Sequence, residues 1–329
     1  MAVVETREVA GDEADIRLDR WFKRHYPTLS HGRLEKLLRT GQVRVDGSRV
    51  KAGERLKPGQ AIRIPPLGEA VAPRSGPRPK QRPKVSDHDA KELRARVLFE
   101  DKEIIVIDKP AGLAVQGGSK TTRHVDGMLD ALADKKGERP RLVHRLDKDT
   151  AGVLVLARTV SAADRLGKAF RGRQVNKLYW ALVVGEPERD QGRINLAMTK
   201  KAGARGERME EDDEGQYAVT DYAVIDRIGR QAAWLALRPL TGRTHQIRVH
   251  CAAIGTPILG DGKYGGAVAF LSGVPAKTLH LHARGIEIPK RGGGIISVVA
   301  PLPDHMRETW RLFGFNANDT SDPFAEERR

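Results

Sequence analysis

Between Pro73 and Lys84 the chain reads PRSGPRPKQRPK, with four prolines, five basic residues, no acid and no large apolar side chain. Such a stretch cannot bury enough apolar surface to offset the entropy of ordering it, so an extended, mobile linker is expected over residues 67–92. Whatever lies on either side must then build its own core. A length of 329 residues agrees with that division, since domains run to roughly 150 residues each.

The basic residues are not confined to the linker. Lys and Arg number 58 against 43 Asp and Glu, a formal charge of +15, which favours a polyanionic partner over a merely solvated surface. No run approaches the roughly 18 apolar residues of a membrane span. The opening MAVVETREVAGDEAD lacks the basic and apolar regions of an export signal. The expectation is a cytoplasmic protein with no membrane partner. Cys251 is the single cysteine, which excludes an internal disulfide and a cysteine-only zinc cluster and agrees with a reducing compartment.

After a flexible N-terminus over 1–13, residues 14–66 read as a compact basic module. Leu18, Trp21 and Phe22 fall on one helical face, and Pro27 ends that helix. Ser30 is positioned to cap a second helix that buries Leu34, Leu37 and Leu38 while Arg33, Lys36 and Arg39 point elsewhere. VRVDGSRV then alternates about Asp46-Gly47, the signal of a hairpin with a type I′ turn, and AIRIP supplies a last strand. The plain reading of Arg33, Lys36 and Arg39 is a solvated helix face, yet Arg44 and Arg49 of the hairpin add to the same charge. This order of elements, with Gly-x-Val-x-Val-x-Gly and Pro58-Gly59, resembles the RNA-binding module of ribosomal protein S-four. The resemblance implies RNA contacts at Arg33, Lys36, Arg39, Arg44 and Arg49.

Residues 93–314 carry seven strand-like runs, among them GVLVLA, LYWALVVG and AAWLALRPL, and three helical ones, with Ser161 and Thr244 as candidate N-caps. Helices are sparse between strands. An α+β class with a mostly antiparallel sheet is therefore expected rather than a doubly wound one. The closing 315–329 is polar and expected to fray.

Two polar clusters stand out. His144-Arg145-Leu146-Asp147-Lys148-Asp149-Thr150 sits directly before an apolar strand, where a loop is held against a rigid element. Thr241-Gly242-Arg243-Thr244-His245-Gln246-Ile247-Arg248 lies at a strand-to-helix junction, and on a helix Arg248 can reach a carboxylate of a neighbouring loop. Together with Lys177-Leu178-Tyr179-Trp180-Ala181 and IVIDKPAGLAV at 105–115, these blocks resemble large-subunit (23S) ribosomal RNA pseudouridine synthases of the RluC/RluD type. The Val115-Gln116-Gly117-Gly118 turn leans toward the RluC-like subgroup.

That resemblance implies an isomerase that breaks the N1–C1′ bond of uridine, rotates the base and rejoins it through C5, with no redox change and no cofactor. It makes Asp147 the catalytic carboxylate, whether by attacking C1′, adding to C6 or removing the 2′ proton. A carboxylate in a closed pocket needs an opposed guanidinium to stay ionised; Arg248 is the first candidate and Arg243 the second. Tyr179 can lie against the uracil. Arg145 helps hold an extruded nucleotide, and Lys177, Arg243, His245 and Gln246 complete the substrate-binding set. The implied partner is 23S rRNA or a large-subunit precursor, and the family precedent is a monomer.

Other chemistries fit less well. Asp149 is a turn cap rather than the second acid of a glycosidase pair. His245, His250, His280 and His282 lack the spacing and companions of a metal site, so no metal is expected. A Gly-x-Ser-x-Gly elbow and a glycine-rich phosphate loop are both missing, which removes a serine hydrolase and nucleotide cofactors from favour. The alternative is a non-catalytic RNA-binding or ribosome-assembly protein on the same scaffold.

Overall fold

The computed structural model describes residues 4–67, 85–118, 121–203, 206–274 and 278–325. Two compact units divide the chain, one within Met1–Arg82 and one within Pro83–Arg329. Most of the expected linker lies outside the described residues.

The first unit orders as β1 (Glu5–Glu8), α1 (Leu18–His25), α2 (His31–Arg39), β2 (Arg44–Val45) and β3 (Ala61–Ile64), with β3 central in an antiparallel sheet. Leu18, Trp21 and Phe22 of α1 and Leu34 and Leu38 of α2 fill its core with Ile62 and Ile64. The Ser30 hydroxyl accepts the Arg33 N–H, as an N-cap should. Asp46 and Gly47 both take positive φ, 48° and 76°, the signature of a I′ turn. Beyond Ser48 the hairpin does not continue; β2 pairs instead with β3, and the Asp46 carboxylate clasps the Ala61 N–H and the Gln60 amide.

The described part of the lead-in expected to be flexible is folded. Glu5–Glu8 pairs residue for residue with Ile64–Ala61, and Glu13 is buried, accepting from Trp21 Nε1 at 2.8 Å and meeting His25 at 2.6 Å. ETRE carries no apolar residue, so its place is fixed by main-chain pairing that no hydrophobic pattern announces.

The second unit opens earlier than expected, at α3 (Asp87–Ala95), capped by Ser86 and buried through Leu93. It continues through β4 (Val97–Glu100), β5 (Ile104–Lys109), α4 (Val125–Met128), β6 (Arg141–Leu142), β7 (Ala151–Ala157), α5 (Val160–Arg171), β8 (Asn176–Val184), β9 (Gln191–Gly203), β10 (Gly206–Glu211), β11 (Gln216–Ile228), β12 (Ala232–Pro239), α6 (Gln246–Ala253), β13 (Leu281–Pro289), β14 (Ile295–Val299) and α7 (Asp304–Phe313). One eleven-stranded sheet runs β10-β9-β11-β12-β8-β13-β7-β5-β4, with β14 on β13 and β6 on β7. Only β13–β7 is parallel among these pairs. The class is α+β with a mostly antiparallel sheet, as expected.

Strand alternation decides which helix covers which face. Ile104, Val106, Val153 and Val155 meet α5, while Ile105, Ile107, Leu154 and Leu156 meet α3 and α4. Further along, Ala181, Val183, Leu235 and Leu237 face α6, and Trp180, Leu182 and Trp234 face α7 through Met306 and Trp310. Trp234 packs edge-on to Trp180 at 4.6 Å and to Trp310 at 5.3 Å. The described part of the C-terminal tail does not fray: Phe315 and Phe324 are buried, Arg238 lies over the Phe324 ring, and Arg284 donates to the Asp319 carbonyl. Two buried rings outweigh the polar composition of that segment. Among the described residues no helix is long and apolar enough to cross a membrane.

Candidate active site

A cavity of about 540 Å³ opens where the loop before β7, the start of β8 and the loop leading into α6 converge. Asp147, Tyr179, Arg248, Arg145, Lys177, Arg243, His245 and Gln246 all line it. Residues up to 103 positions apart in sequence are thus gathered by the sheet order, β8 lying between β12 and β13 and β13 beside β7.

The Asp147 loop is clamped through its backbone. Lys109, fully buried at the end of β5, donates to the carbonyls of Pro110, Leu113 and Lys148 at 2.8, 2.8 and 3.0 Å. The Gly112 N–H meets the same Lys148 carbonyl at 2.9 Å. Burial pulls the Lys109 ammonium down to about 8, with Asp149 and Asp147 working in the opposite direction. On the other side His144 stacks on Phe170 at 4.4 Å and accepts the Val155 N–H at Nε2. Burial drives this imidazole down to about 3, so it is a neutral strut. Just past the loop Gly152 takes φ 109°, and a Cβ there would lie 2.2 Å from the Ala283 carbonyl oxygen, so only glycine allows β7 to run beside β13.

Across the cavity the sequence expectation needs correcting. Arg248 does not pair directly with Asp147. Its guanidinium makes a bidentate bridge to Asp261, Nε–Oδ2 and Nη2–Oδ1 both at 2.7 Å, with both side chains buried. Asp261 also accepts the N–H groups of Lys263 and Tyr264. Burial opposes the Arg248 charge, but Asp261 and then Asp147 raise it above its ordinary value. Arg248 therefore stays cationic and still feels the field of Asp147.

The loop into α6 also differs in detail. His245, not Thr244, is the helix-capping position, in a left-handed conformation at φ 53° with Nδ1 2.7 Å from the Tyr264 hydroxyl. Likewise Thr159 rather than Ser161 caps α5. Gln246 is a brace more than a substrate ligand: its amide donates to Val219 O and Thr220 Oγ1 and accepts from Thr241 Oγ1 and the Arg243 N–H. With both ends of the amide engaged by protein, it pins the loop to β11. Arg243 and Arg145 are exposed at the rim, and Arg243 Nε reaches the Tyr217 carbonyl at 3.4 Å.

Tyr179 lies on β8 facing Asp147. Burial first, and then the Asp147 charge, raises its phenol above the usual tyrosine range, so at neutral pH it is a protonated donor. Asp147 is half-buried and is the one carboxylate among the described residues lining the cavity. A lone acid suits neither route of a two-carboxylate glycosidase, whereas one carboxyl group beside a protonated phenol and a fixed guanidinium suits attack on, or proton removal from, a single nucleoside.

Residues 103–253 match the family model described as RNA pseudouridylate synthase. Ribosomal large subunit pseudouridine synthase C of Rickettsia bellii is 35% identical over 298 residues, 88% of this chain and 95% of the relative. The chain belongs to the RNA pseudouridylate synthase family. RNA pseudouridine synthase 4, mitochondrial, of Arabidopsis thaliana is 40% identical over 283 residues, and the alignment spans 75% of this chain but only 59% of that protein's length. Among solved structures, Human RNA Pseudouridylate Synthase Domain Containing 4 aligns with a TM-score of 0.58 at 30% identity, covering 68% of this chain and 95% of that one. The protein is accordingly an isomerase, an RNA pseudouridine synthase on the fold its neighbours share.

The site is also held by residues that sequence reasoning passed over. Lys109 was visible as a lysine closing an apolar strand, and Asp261 as an acid between glycines after an apolar run. Neither signal says which partner it will find. Of the first-unit cations, Lys36, Arg39 and Arg49 are exposed, while Arg33 donates to Leu67 O and Arg44 to the carbonyls of Gly41 and Gly47, so Arg44 serves the hairpin itself.

Proposed function

We propose that this pseudouridine synthase modifies uridines of 23S rRNA or its precursor in the cytoplasm, acting as a monomer, with Asp147 as the catalytic carboxylate. The observation that carries the reading is the charge arrangement of the cavity: among the described residues a single acid, Asp147, lines it together with six arginines and one lysine. RNA supplies the anions for those cations, and a uridine extruded from its stack supplies the reacting centre for the acid. The large-subunit rRNA assignment draws on the name of the Rickettsia relative and on the RluC-like turn at Val115–Gly118.

In this reading Tyr179 rests against the uracil, where its hydroxyl assists the movement of the proton that must leave C5 once the base is rejoined there. Arg248, locked by Asp261, holds a positive charge near Asp147 without consuming it, and Arg145 at the rim steadies the extruded nucleotide. The three routes, C1′ attack, C6 addition and 2′ proton removal, all begin at the Asp147 side chain. The first unit docks RNA in the manner of an S-four-like module, through Lys36, Arg39 and Arg49, with Arg33 and Arg44 supporting.

Release of tritium from C5-labelled 23S transcript tests this directly. Wild-type protein is expected to release it and Asp147→Asn to lose at least about 10³-fold in rate, with RNA affinity within about twofold. Turnover retained in the variant would remove Asp147 from the chemistry.

A further inference from the structure

Seven cationic side chains line the cavity: Arg145, Arg171, Arg173, Lys177, Arg238, Arg243 and Arg248. Carboxylates neutralise two of them, Asp221 on Arg238 and Asp261 on Arg248. Three of the others come from one short stretch, the end of α5 and the start of β8, and among the described residues none of Arg171, Arg173 and Lys177 has a carboxylate partner. Burial, and then the charge of Arg173, bring Lys177 down to about 8, so like charges crowd this wall with no anion between them.

The turn that presents these residues is held firmly. Gly172 N–H bonds to Lys168 O at 2.8 Å, Gln174 N–H bonds to Ala169 O at 2.9 Å, and Val175 is buried. Its distance from Asp147 is fixed as well, because Phe170 stacks on His144 and His144 is bonded to β7. Arg173 itself sits at φ 58°, a left-handed conformation in which glycine or asparagine is at ease and arginine is strained. This is the left-handed position that closes α5, with the Gln174 N–H returning to Ala169 O, and from it Arg173 lines the cavity.

Uracil is neutral, and the anions of an RNA strand are its phosphates. We propose that Arg173, with Arg171 and Lys177, grips a backbone phosphate of the strand that delivers the target uridine, on the α5 side of the cavity. The grip sets how far the extruded nucleoside reaches toward Asp147. It rests on reading the cavity as the RNA site, and it makes Arg173 a substrate-positioning residue distinct from the reacting set.

Arg173→Gly and Arg173→Lys in the full chain test it, with 23S transcript as the probe and tritium release, salt-dependent binding and thermal melting as readouts. For Arg173→Gly the KM is expected to rise about tenfold, the loss of a charge-assisted contact, with kcat falling far less. The slope of log affinity against log salt should shrink by about one, and the melting temperature should rise because glycine relieves the left-handed strain. Arg173→Lys should keep the salt slope and most of the KM. An unchanged KM and salt slope in Arg173→Gly, with the wild type active, would overturn the grip alone. A raised KM with lower melting temperature and an unchanged slope would reduce Arg173 to a structural residue and overturn it too. A wild type that releases no tritium would overturn the cavity reading and the grip together.

Discussion

The two walls of the cavity that face each other across Asp147 and Arg248 are made rigid by opposite means. On the Asp147 side nearly every restraint acts on backbone: Lys109 and Gly112 hold the Lys148 carbonyl, and His144 takes the Val155 N–H. On the Arg248 side the restraint falls on the side chain, whose guanidinium is committed at two points to Asp261. The difference follows from the task. A group that must form and break bonds needs its own atoms free while its attachment is fixed, whereas a group that supplies only a field does best when its charge cannot wander. Substitutions on the two walls should therefore fail in different ways.

The largest contrast is between Asp147→Asn and Asp261→Ala. The first should leave the melting temperature within a degree or two, since no hydrogen bond of the fold is lost, while the rate drops at least about 10³-fold, equivalent to roughly 4 kcal/mol of barrier. The second leaves a buried guanidinium unpaired, and about 3–5 kcal/mol of stability should go with it. Urea unfolding of the two variants side by side decides the matter. Equal destabilisation would mean that Asp147 also braces the fold.

Next in size is Lys109→Met, which keeps the volume but leaves three carbonyls without their shared donor. A loss of about 1–3 kcal/mol is expected, together with a fall in kcat because the loop carrying Asp147 loosens while Arg248 remains in place. A variant with lowered stability but undiminished kcat would show that the clamp serves folding only.

Much of this contrast could be read from sequence, and the unread part has a common cause. Asp147, Tyr179 and Arg248 were identifiable because their motifs repeat a known order, and the helix and strand faces around them follow from alternation and 3.6-residue spacing, as Ile105 and Ile107 opposite Ile104 and Val106 show. What stayed hidden was pairing between distant charged groups. Arg248 was expected to oppose Asp147, but Asp261 sits in a tight glycine-flanked turn that offers both carboxylate oxygens in the plane of the guanidinium. Charged strands were equally silent: ETRE at the start and GERMEE in β10 carry no apolar alternation, so only the neighbouring strand reveals them. Hydrophobic periodicity reports burial, and these elements are placed by hydrogen bonds.

The smallest expected effect concerns Lys177, on the wall between the two just compared. Its ammonium is held near 8, mainly by burial and secondarily by Arg173, below the ordinary lysine value of 10.5. Because its folded value is lower than its unfolded one, the unfolded chain binds more protons between about 8 and 10.5, and this residue's contribution to stability rises with pH across that window. RNA binding runs the other way: as pH climbs through 8 the cavity loses a positive charge, and affinity for RNA should fall a few-fold between pH 7 and 9. In Lys177→Gln that fall should vanish. In Arg173→Gln it should move to higher pH, since removing the neighbouring charge lets Lys177 keep its proton longer. Binding titrations at constant ionic strength make the comparison. Parallel pH profiles for wild type and Lys177→Gln would show that the lysine's proton plays no part in holding RNA, and would leave the free charge of this wall to the arginines.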